Sequence, residues 1–404
     1  MAKEKKTLEN KNWSNTFTLI GETKISKDYT YKLDQKSEKS DWIYNSLNLG
    51  VYCGEKHGTV YAELMGGYGA ERDNVIYVHG KDEDGRDDFE NKFTIDWEDR
   101  FDESILETIG DLCFMTVGLE KYEVKSKNSD KKEEKVYYKK FLSAYDMIQY
   151  INENLEDGMI INVKGTLKYS QYNGNTQVKK EISSLVLSKV EDPADYKAKF
   201  LQTMLLTKDS VGKVDKKTGV LPIYAKVLDY VRDYKGKEVR QNIPFAKMFE
   251  YEMDLENPEM SKKVIEKLFK VSKDVTEITF EGDLVEGGAT VVPTEDDLPD
   301  DIKTLVEIGV YTLDEAIEKC TVNGGKEKRM VLRKPYIKMT EDKEGIKTPV
   351  LQKFERKYTE DDLILDFMYE QEDESVVDDT ETETDTEELP FASDDDDNSW
   401  LNNL

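Results

Sequence analysis

One segment of the chain alternates aromatic and basic side chains, YAKVLDYVRDY, between Tyr224 and Tyr234. Alternate residues of an extended strand lie on the same face of a sheet. The segment would therefore place on one face Tyr224, Lys226, Leu228, Tyr230, Arg232 and Tyr234. Aromatic rings and cations on one face can stack on nucleobases and contact phosphates, and stacking contributes ~1–3 kcal/mol per base. The alternative is ordinary packing, since aromatic side chains also suit the half-buried surface of a sheet.

Tyrosine is abundant, with 23 copies, and several tyrosines lie close to Lys or Arg on other predicted strands. The candidates for the same chemistry in the first half of the chain are Trp42, Tyr44, Tyr52, Tyr61, Tyr68, Tyr137, Tyr138, Lys139, Lys140, Lys164, Lys168, Tyr169, Tyr172, Lys179 and Lys180. The further candidates in the second half are Lys237, Arg240, Lys247, Arg329, Arg333, Lys334 and Tyr336. Each also has a plainer interpretation, as a packed ring or a solvated cation.

Catalytic and metal-binding chemistry have little support in the composition. The chain has two histidines, His57 and His79, and three widely separated cysteines, Cys53, Cys113 and Cys320. This pattern suits a reducing compartment and argues against a disulfide framework or a zinc site. The sequence lacks the motifs of phosphate-binding loops, zinc proteases and serine hydrolases. We therefore expect no enzymatic activity, cofactor or metal, although a magnesium-dependent nuclease that uses carboxylates alone stays open.

The elements that would position the candidate residues are mostly strands, beginning at Asn15. Ser143, with Asp146 three residues later, predicts the start of a helix that ends by Gly158. The segment that follows, GMIINVKGTLKYSQYNGNTQVKKEISSLVLSKV, predicts two strands joined by a tight turn at Asn173-Gly174.

The same order of elements recurs in the second half of the chain. Its predicted elements are a strand at 199–211, a hairpin at 220–248, a helix at 257–270, a strand at 277–287, a helix capped by Thr312 and Glu315, and a closing strand at 328–339. Gly165 and Gly282 both interrupt the strand that follows the helix, which is typical of a bulge or sharp bend. The repeated order therefore indicates a tandem duplication.

Five strands with a helix between the third and fourth are the plan of the OB-fold, a small barrel. We therefore predict a mainly β fold with short helices, built from tandem OB-fold-like barrels at 15–192 and 193–345. A flexible basic arm at 1–14 would precede the barrels. A linker and a disordered acidic C-terminal tail would follow at 346–404.

The segment at 158–190 resembles the last three strands of the single-stranded-DNA-binding proteins that bacteria and their phages use in replication. The tail, with Leu389, Pro390 and Phe391, is similar to their acidic C-terminal tip. In those proteins the Pro-Phe pair ends the chain and partners recognise its carboxylate, whereas 13 residues follow Phe391 here. The resemblance implies binding of single-stranded DNA without strong sequence preference, and a tail that contacts replication or recombination proteins.

The net charge of −28 is concentrated at the C-terminus. From Thr359 to Leu404 the chain has 19 acidic and no basic residues, while the rest holds 67 acidic and 58 basic residues. Such a block is typical of a disordered interaction segment. We expect it to occupy a basic groove when DNA is absent, with Leu389, Pro390 and Phe391 as the apolar anchor for a partner protein.

These patterns together predict a single-stranded-DNA-binding protein of DNA replication, recombination or repair, in the cytoplasm of a bacterium or of a phage-infected cell. No apolar run approaches the ~20 residues of a membrane helix, and the N-terminus lacks the apolar core of a signal peptide. The alternatives are an acidic DNA mimic or decoy that binds DNA-handling enzymes, and a virion structural protein. A homo-oligomer or a cooperative assembly on DNA stays open.

Overall fold

The computed structural model describes residues 5–365 and 367, apart from 11, 27–28, 126–131, 173, 235–236, 272, 288–289, 292–297, 308–309, 321, 324–327, 342–344 and 346. The strands are β1 (Asn15–Lys24), β2 (Tyr31–Lys36), β3 (Trp42–Tyr52), β4 (Thr59–Gly69), β5 (Val75–Lys81), β6 (Asp87–Asp96), β7 (Met115–Lys125), β8 (Lys132–Phe141), β9 (Ile160–Tyr172), β10 (Asn175–Leu187), β11 (Lys197–Leu206), β12 (Val220–Tyr234), β13 (Lys237–Glu252), β14 (Val275–Glu286), β15 (Thr290–Val291), β16 (Val322–Asn323), β17 (Lys328–Pro335), β18 (Ile337–Glu341), β19 (Lys347–Leu351) and β20 (Lys353–Tyr358). The α-helices are α1 (Glu103–Leu106), α2 (Ala144–Asn154), α3 (Pro258–Val264), α4 (Asp300–Glu307) and α5 (Leu313–Cys320).

This fold is mainly β with short helices, which confirms the predicted class. None of the helices in the described ranges is long and apolar enough to cross a membrane. The predicted tail residues Leu389, Pro390 and Phe391 lie outside the described residues.

Five strands close the first barrel. The antiparallel pairs are β1–β3, β3–β4, β10–β9 and β9–β1, and the parallel pair β4–β10 completes the ring. The helix α2 lies between the third and fourth barrel strands in chain order, which is the OB-fold plan. Its N-cap is Ser143, whose side chain accepts a hydrogen bond from the Tyr145 N–H at 3.1 Å, as the sequence predicts.

An insertion separates β4 from α2. It contains the β5–β6 hairpin, α1 and the β7–β8 hairpin, and β7 extends the barrel sheet by pairing in parallel with β10. A small separate core of Val78, Ile95 and Ile109 supports the β5–β6 hairpin.

Five strands in the same order close the second barrel. The antiparallel pairs are β11–β12, β12–β13, β17–β14 and β14–β11, and β13–β17 is the parallel pair. The helix α3 again lies between the third and fourth barrel strands, and its N-cap Asn257 accepts a hydrogen bond from the Met260 N–H at 3.3 Å. The structure therefore contains two OB-fold-like barrels in tandem. The helices α4 and α5 belong to an insertion between β14 and β17.

The first strands of the two barrels pair with each other, and Phe17 of β1 lies opposite Phe200 of β11. In the first barrel Phe17 also lies opposite the predicted mid-strand glycine Gly165, and in the second barrel Phe200 lies opposite Gly282. A Cβ at Gly165 would lie 2.7 Å from the Phe17 ring, and one at Gly282 would lie 2.2 Å from the Phe200 ring. Both glycines adjoin a register shift in the ladder, but the extra residue belongs to the neighbouring strand, Ser183 of β10 or Arg333 of β17, and not to the strand of the glycine. The two barrels therefore share this phenylalanine–glycine contact in three dimensions as well as the order of their elements along the chain.

The described residues of the predicted N-terminal arm at 1–14 pack against the rest of the chain. Leu8 is buried and Trp13 packs on the same cluster, which covers Leu228 on the outer face of β12. The backbone N–H of Lys6 donates to the Asp362 Oδ1 at 2.7 Å. Leu8 and Trp13 cover apolar side chains on the outside of the second barrel and shield them from water. The free energy gained by this burial holds the arm in place although its other residues are polar.

Candidate nucleic-acid interface

The outer face of β12 carries much of the predicted alternating surface. Tyr224 and Tyr230 are 47% and 53% exposed, Lys226 is half-buried, and Arg232 is exposed. Two members of the pattern are corrected. Leu228 is buried beneath the N-terminal segment, and Tyr234 is buried with its hydroxyl donating to Gln171 of β9.

The corresponding face of the first barrel is formed by β3 and β4. Tyr61 on β4 is 50% exposed and lies opposite Gly50 on β3. Trp42, Tyr44 and Tyr52 on β3 are half-buried. The Lys24 Nζ lies 5.8 Å from the centroid of the Tyr52 ring.

The strand pairing shows which positions on these two faces correspond to each other. Tyr52 of β3 and Lys226 of β12 each pair with the residue five positions after the central phenylalanine of their barrel. Gly50 is two positions before Tyr52 and lies opposite Tyr61. Tyr224 is two positions before Lys226, so it occupies the position that corresponds to Gly50. Both barrels therefore carry an exposed tyrosine at the same cross-strand pair. This pair lies on the second and third strands, the part of an OB-fold that binds oligonucleotides.

Three exposed tyrosines have rings that rest against a glycine. The pairs are Tyr61 with Gly50, Tyr224 with Gly212 and Tyr138 with Gly118, where the nearest ring carbon lies 3.2, 3.0 and 3.2 Å from the point that a Cβ would occupy. A glycine allows this approach because it has no side chain. Each ring is thus supported from the protein side and about half exposed to solvent. A supported ring loses little freedom when a ligand stacks on it, which favours binding.

Basic residues on β9 and β10 lie on the same outer surface. Lys168 lies opposite Lys179 in the ladder, and each lysine has a carboxylate partner. The Nζ of Lys168 is 3.7 Å from Asp229, and that of Lys179 is 3.3 Å from Glu63. Lys164 is exposed and has no ion-pair partner within the described ranges. Lys164 is therefore the best-placed cation here for a phosphate.

Tyr172 ends β9, and its ring is exposed beside the hairpin turn. The residues predicted before α2 lie on the β7–β8 hairpin. Tyr137 and Tyr138 are exposed. The Lys140 Nζ lies 2.8 Å from a carboxylate oxygen of Asp111, while the Lys139 Nζ lies 4.5 Å above the Tyr150 ring centroid.

Two predicted tyrosines are packing residues. Tyr169 is buried and its hydroxyl donates to the Gln202 Oε1 at 2.7 Å, and burial raises its pKa. Tyr169 is two residues after buried Leu167 and therefore lies on the same, inner face of β9. The sequence alternation alone was enough to predict this inward position. Tyr68 is half-buried, with its ring centroid 5.3 Å from that of Trp97 and 5.4 Å from that of Tyr145.

Two predicted arginines are already neutralised by carboxylates. Arg329 binds Glu250 and approaches Glu252, and Arg333 binds Glu252 and Asp283. An arginine held by carboxylates contributes little to phosphate binding, so these two assignments are corrected.

Lys180 and Lys247 are corrected for a different reason, because they are largely enclosed at the junction of the barrels. Lys180 is buried and paired with Glu286, whose Oε2 also accepts the Tyr61 N–H at 3.0 Å. Burial lowers the pKa of the Lys247 ammonium, and the charges of Lys180 and Lys328 lower it further.

The remaining candidates lie near the start of β13 and around β17. Lys237 is exposed at the start of β13, and the Arg240 Nε lies 2.5 Å from the Glu238 Oε1. The Lys334 Nζ lies 3.2 Å from Glu281, and Tyr336 is half-buried between β17 and β18.

The structure also brings together residues that the sequence interpretation missed. The buried carboxylate of Asp283 accepts hydrogen bonds from Lys56 of the first barrel and from Lys199 and Arg333 of the second. Burial tends to raise the pKa of Asp283, but these three donors outweigh it and hold the pKa well below its usual range. The partners are up to 277 residues apart in the chain, so no local pattern could reveal them.

A second unpredicted cluster lies in the insertion. The His79 Nε2 is 2.7 Å from an Asp87 oxygen, and its Nδ1 is 3.2 Å from the Cys113 Sγ. A Cβ at Gly110 would lie 2.6 Å from the His79 ring, so backbone closes over the imidazole. The cluster ties the β5–β6 hairpin to the turn before β7. Within the described ranges no group of three or more His, Cys, Asp or Glu residues is arranged to hold a metal ion.

Comparisons with known proteins add a family and a distant likeness. No curated protein sequence matches the chain. The chain is similar to the wild-type single-stranded DNA binding protein from Thermus aquaticus, with 12% identity over 67% of this chain and 85% of that one, and a TM-score of 0.28. A deletion mutant of that protein shows 12% identity over 68% and 88%, with the same TM-score. At this score the likeness carries no argument, and the barrel topology depends on the strand pairing alone.

The YorF family matches residues 81–289, which include the end of the first barrel and most of the second. The match spans more than half of the 404 residues. The chain belongs to the YorF family.

Proposed function

We propose that this chain binds single-stranded DNA through the outer faces of β3–β4 and β12–β13. One observation carries the proposal. Both barrels present an exposed tyrosine at the same cross-strand pair, and in each case the ring rests against a glycine. Stacking on such rings tolerates any base, because every base has an aromatic face. The binding would therefore have little sequence preference, with no catalytic step.

The cations around these faces would hold the phosphates. Lys164 on β9 and Lys226 on β12 have no carboxylate ion-pair partner among the described residues. Affinity depends on the local field at the binding surface and on counterion release, so a net-negative chain can still bind DNA. We assign the protein to DNA replication or recombination, where single strands are exposed.

The acidic tail completes the proposal as a regulator. The segment after Phe367, with 15 acidic residues, would compete with DNA for the basic groove and become available to replication proteins once the strand is bound. Leu389, Pro390 and Phe391 would supply the apolar anchor for such a partner. A truncation that tests this idea must keep Asp362 and Leu363, because both pack with the N-terminal segment.

The test is anisotropy of a labelled oligo-dT strand and a matching duplex, titrated with the protein across a salt series. Tyr61→Ala and Tyr224→Ala are each expected to weaken binding of the single strand by ~1–3 kcal/mol, and the double variant by about the sum. Tyr77→Ala is the control, since Tyr77 is 83% exposed but lies on β5, away from both faces.

A chain that ends at residue 367 should bind the strand more tightly than the full chain, most of all at low salt. If the full chain and the truncated chain both fail to bind oligo-dT, the proposal is wrong. If Tyr77→Ala weakens oligo-dT binding as much as Tyr61→Ala does, the β3–β4 and β12–β13 faces are not the binding surface.

A further inference from the structure

A cleft of about 420 Å³ opens where the C-terminal end of β9 meets the C-terminal end of β12. It lies between a strand of the first barrel and a strand of the second, at the end of β12 beyond Tyr224 and Tyr230. Tyr169 and Phe245, both buried, and half-buried Val231 form its apolar lining. The size falls within the range of small-molecule pockets.

Polar groups stand at the rim of this cleft. The Tyr234 hydroxyl donates to the Gln171 Oε1, which orients the amide of Gln171 across the gap between the hairpins. Among the described residues, the Gln171 Nε2 contacts the Gly174 carbonyl alone, at a long 3.4 Å, so it can donate to a ligand. Asp233 also lines the cleft, and its side chain is 60% exposed, with the Arg232 Nε 3.6 Å from one oxygen.

The cleft therefore combines an apolar aromatic lining with one amide donor and one carboxylate acceptor. A planar ring with its own donors and acceptors matches this combination, which describes a nucleobase. A carboxylate prefers a ligand with two parallel donors, because both of its oxygens can then accept. Guanine offers such a pair at N1–H and the N2 amine, and its O6 can accept from an amide. Adenine, cytosine and thymine present one donor each at this edge.

We propose that this cleft binds one guanine base of a single strand, with Asp233 accepting from N1–H and N2–H and Gln171 donating to O6. The inference rests on the proposed function, since the strand must first be held by the barrels. Arg232 is exposed beside the cleft and can hold the adjoining phosphate. The protein would then bind all single strands through its tyrosines and prefer those with a guanine at one position of the footprint.

The test uses the full chain and four labelled dT 15-mers that differ at the central position, which is dT, dG, dA or deoxyinosine. Inosine is the matched ligand because it lacks only the N2 amine of guanine. We expect the dG strand to bind about five- to tenfold tighter than the dT strand, the lower range for a bidentate base contact. The inosine strand should lie between them, and the dA strand should bind like dT.

Asp233→Asn should abolish the preference for dG and leave the affinity for the dT strand nearly unchanged. Asp73→Asn is the control, because Asp73 is exposed in the turn between β4 and β5 and its substitution changes the charge equally. Gln171→Ala gives a second, independent reduction of the preference.

Equal affinity for all four strands would overturn the inference and leave the proposed function standing. A preference that survives in Asp233→Asn would overturn the assigned contact and therefore the inference. Failure of the dT strand to bind would overturn the proposed function, and the guanine site with it.

Discussion

The buried carboxylate of Asp283 offers the clearest test of how the two barrels are held together. Its side chain has no exposed surface, and its oxygens lie 2.7 Å from the Lys56 Nζ and 2.6 Å from the Arg333 Nε, with Lys199 as the third donor. Lys56 belongs to the turn between β3 and β4 of the first barrel, so this ion cluster crosses between the barrels. Asp283→Asn removes the negative charge and keeps the shape.

The expected cost of Asp283→Asn can be worked from the exposure of its partners. Removing one member of a fully buried ion pair costs about 3–5 kcal/mol, because the other charge is left without compensation. Lys56 and Lys199 are 57% and 45% exposed, so both regain water after the change. We therefore expect the free energy of unfolding to fall by about 2–3 kcal/mol at pH 7.

The pH dependence follows from the direction of the pKa shift. The pKa of Asp283 is lower in the folded state than the ~3.9 of an unfolded aspartate. Its contribution is therefore fully present above about pH 5 and is lost as the pH falls from 4 through the folded pKa. The difference between wild type and Asp283→Asn should stay constant from pH 7 to 5 and shrink below pH 4.

Urea unfolding at pH 7, 5 and 3 measures this difference directly. Asp195→Asn is the matched control, since Asp195 is exposed in the turn before β11. A second cycle with Lys56→Gln isolates the contact between the barrels, and we expect a coupling free energy above about 0.5 kcal/mol. The reasoning fails if Asp283→Asn is as stable as wild type at pH 7, or if the difference grows on acidification.

Three further predictions concern the barrels, their charges and the N-terminal segment. Gly165→Ala should lower the free energy of unfolding by about 3 kcal/mol or more, because its Cβ would lie 1.9 Å from the Glu181 carbonyl oxygen; an unchanged thermal midpoint would contradict this. Lys164→Gln should reduce the slope of log K against log salt for oligo-dT by about 1, whereas Arg329→Gln should not, because Glu250 already neutralises that arginine. Equal slopes for the two variants would refute the assignment of Lys164. Leu8→Ala should destabilise the protein by about 2–3 kcal/mol and speed proteolysis of the N-terminal segment, since Leu8 is buried; an unchanged urea midpoint and cleavage rate would show that the segment contributes nothing.

Local pattern was sufficient for most of the fold. The alternation of apolar residues, the Ser143 cap and the glycines at 165 and 282 are short-range signals, because each reflects the chain's own backbone geometry. They predicted two barrels of the same order, and both are present. The alternation on β12 correctly placed Tyr224 and Tyr230 outward, since a strand has only two faces.

The candidate surface was predicted less well, because exposure and charge pairing depend on residues far away in the chain. Leu228 has the parity of an outer residue, but Leu8, 220 residues earlier, covers it. Arg333 has the appearance of a phosphate ligand, but Asp283 and Glu252 neutralise it. The cleft beside Asp233 exists because hairpins from two different barrels meet. A strand's period of two follows from covalent geometry alone, whereas the partner of a side chain is chosen by how the barrels pack, and that information is spread over the whole chain.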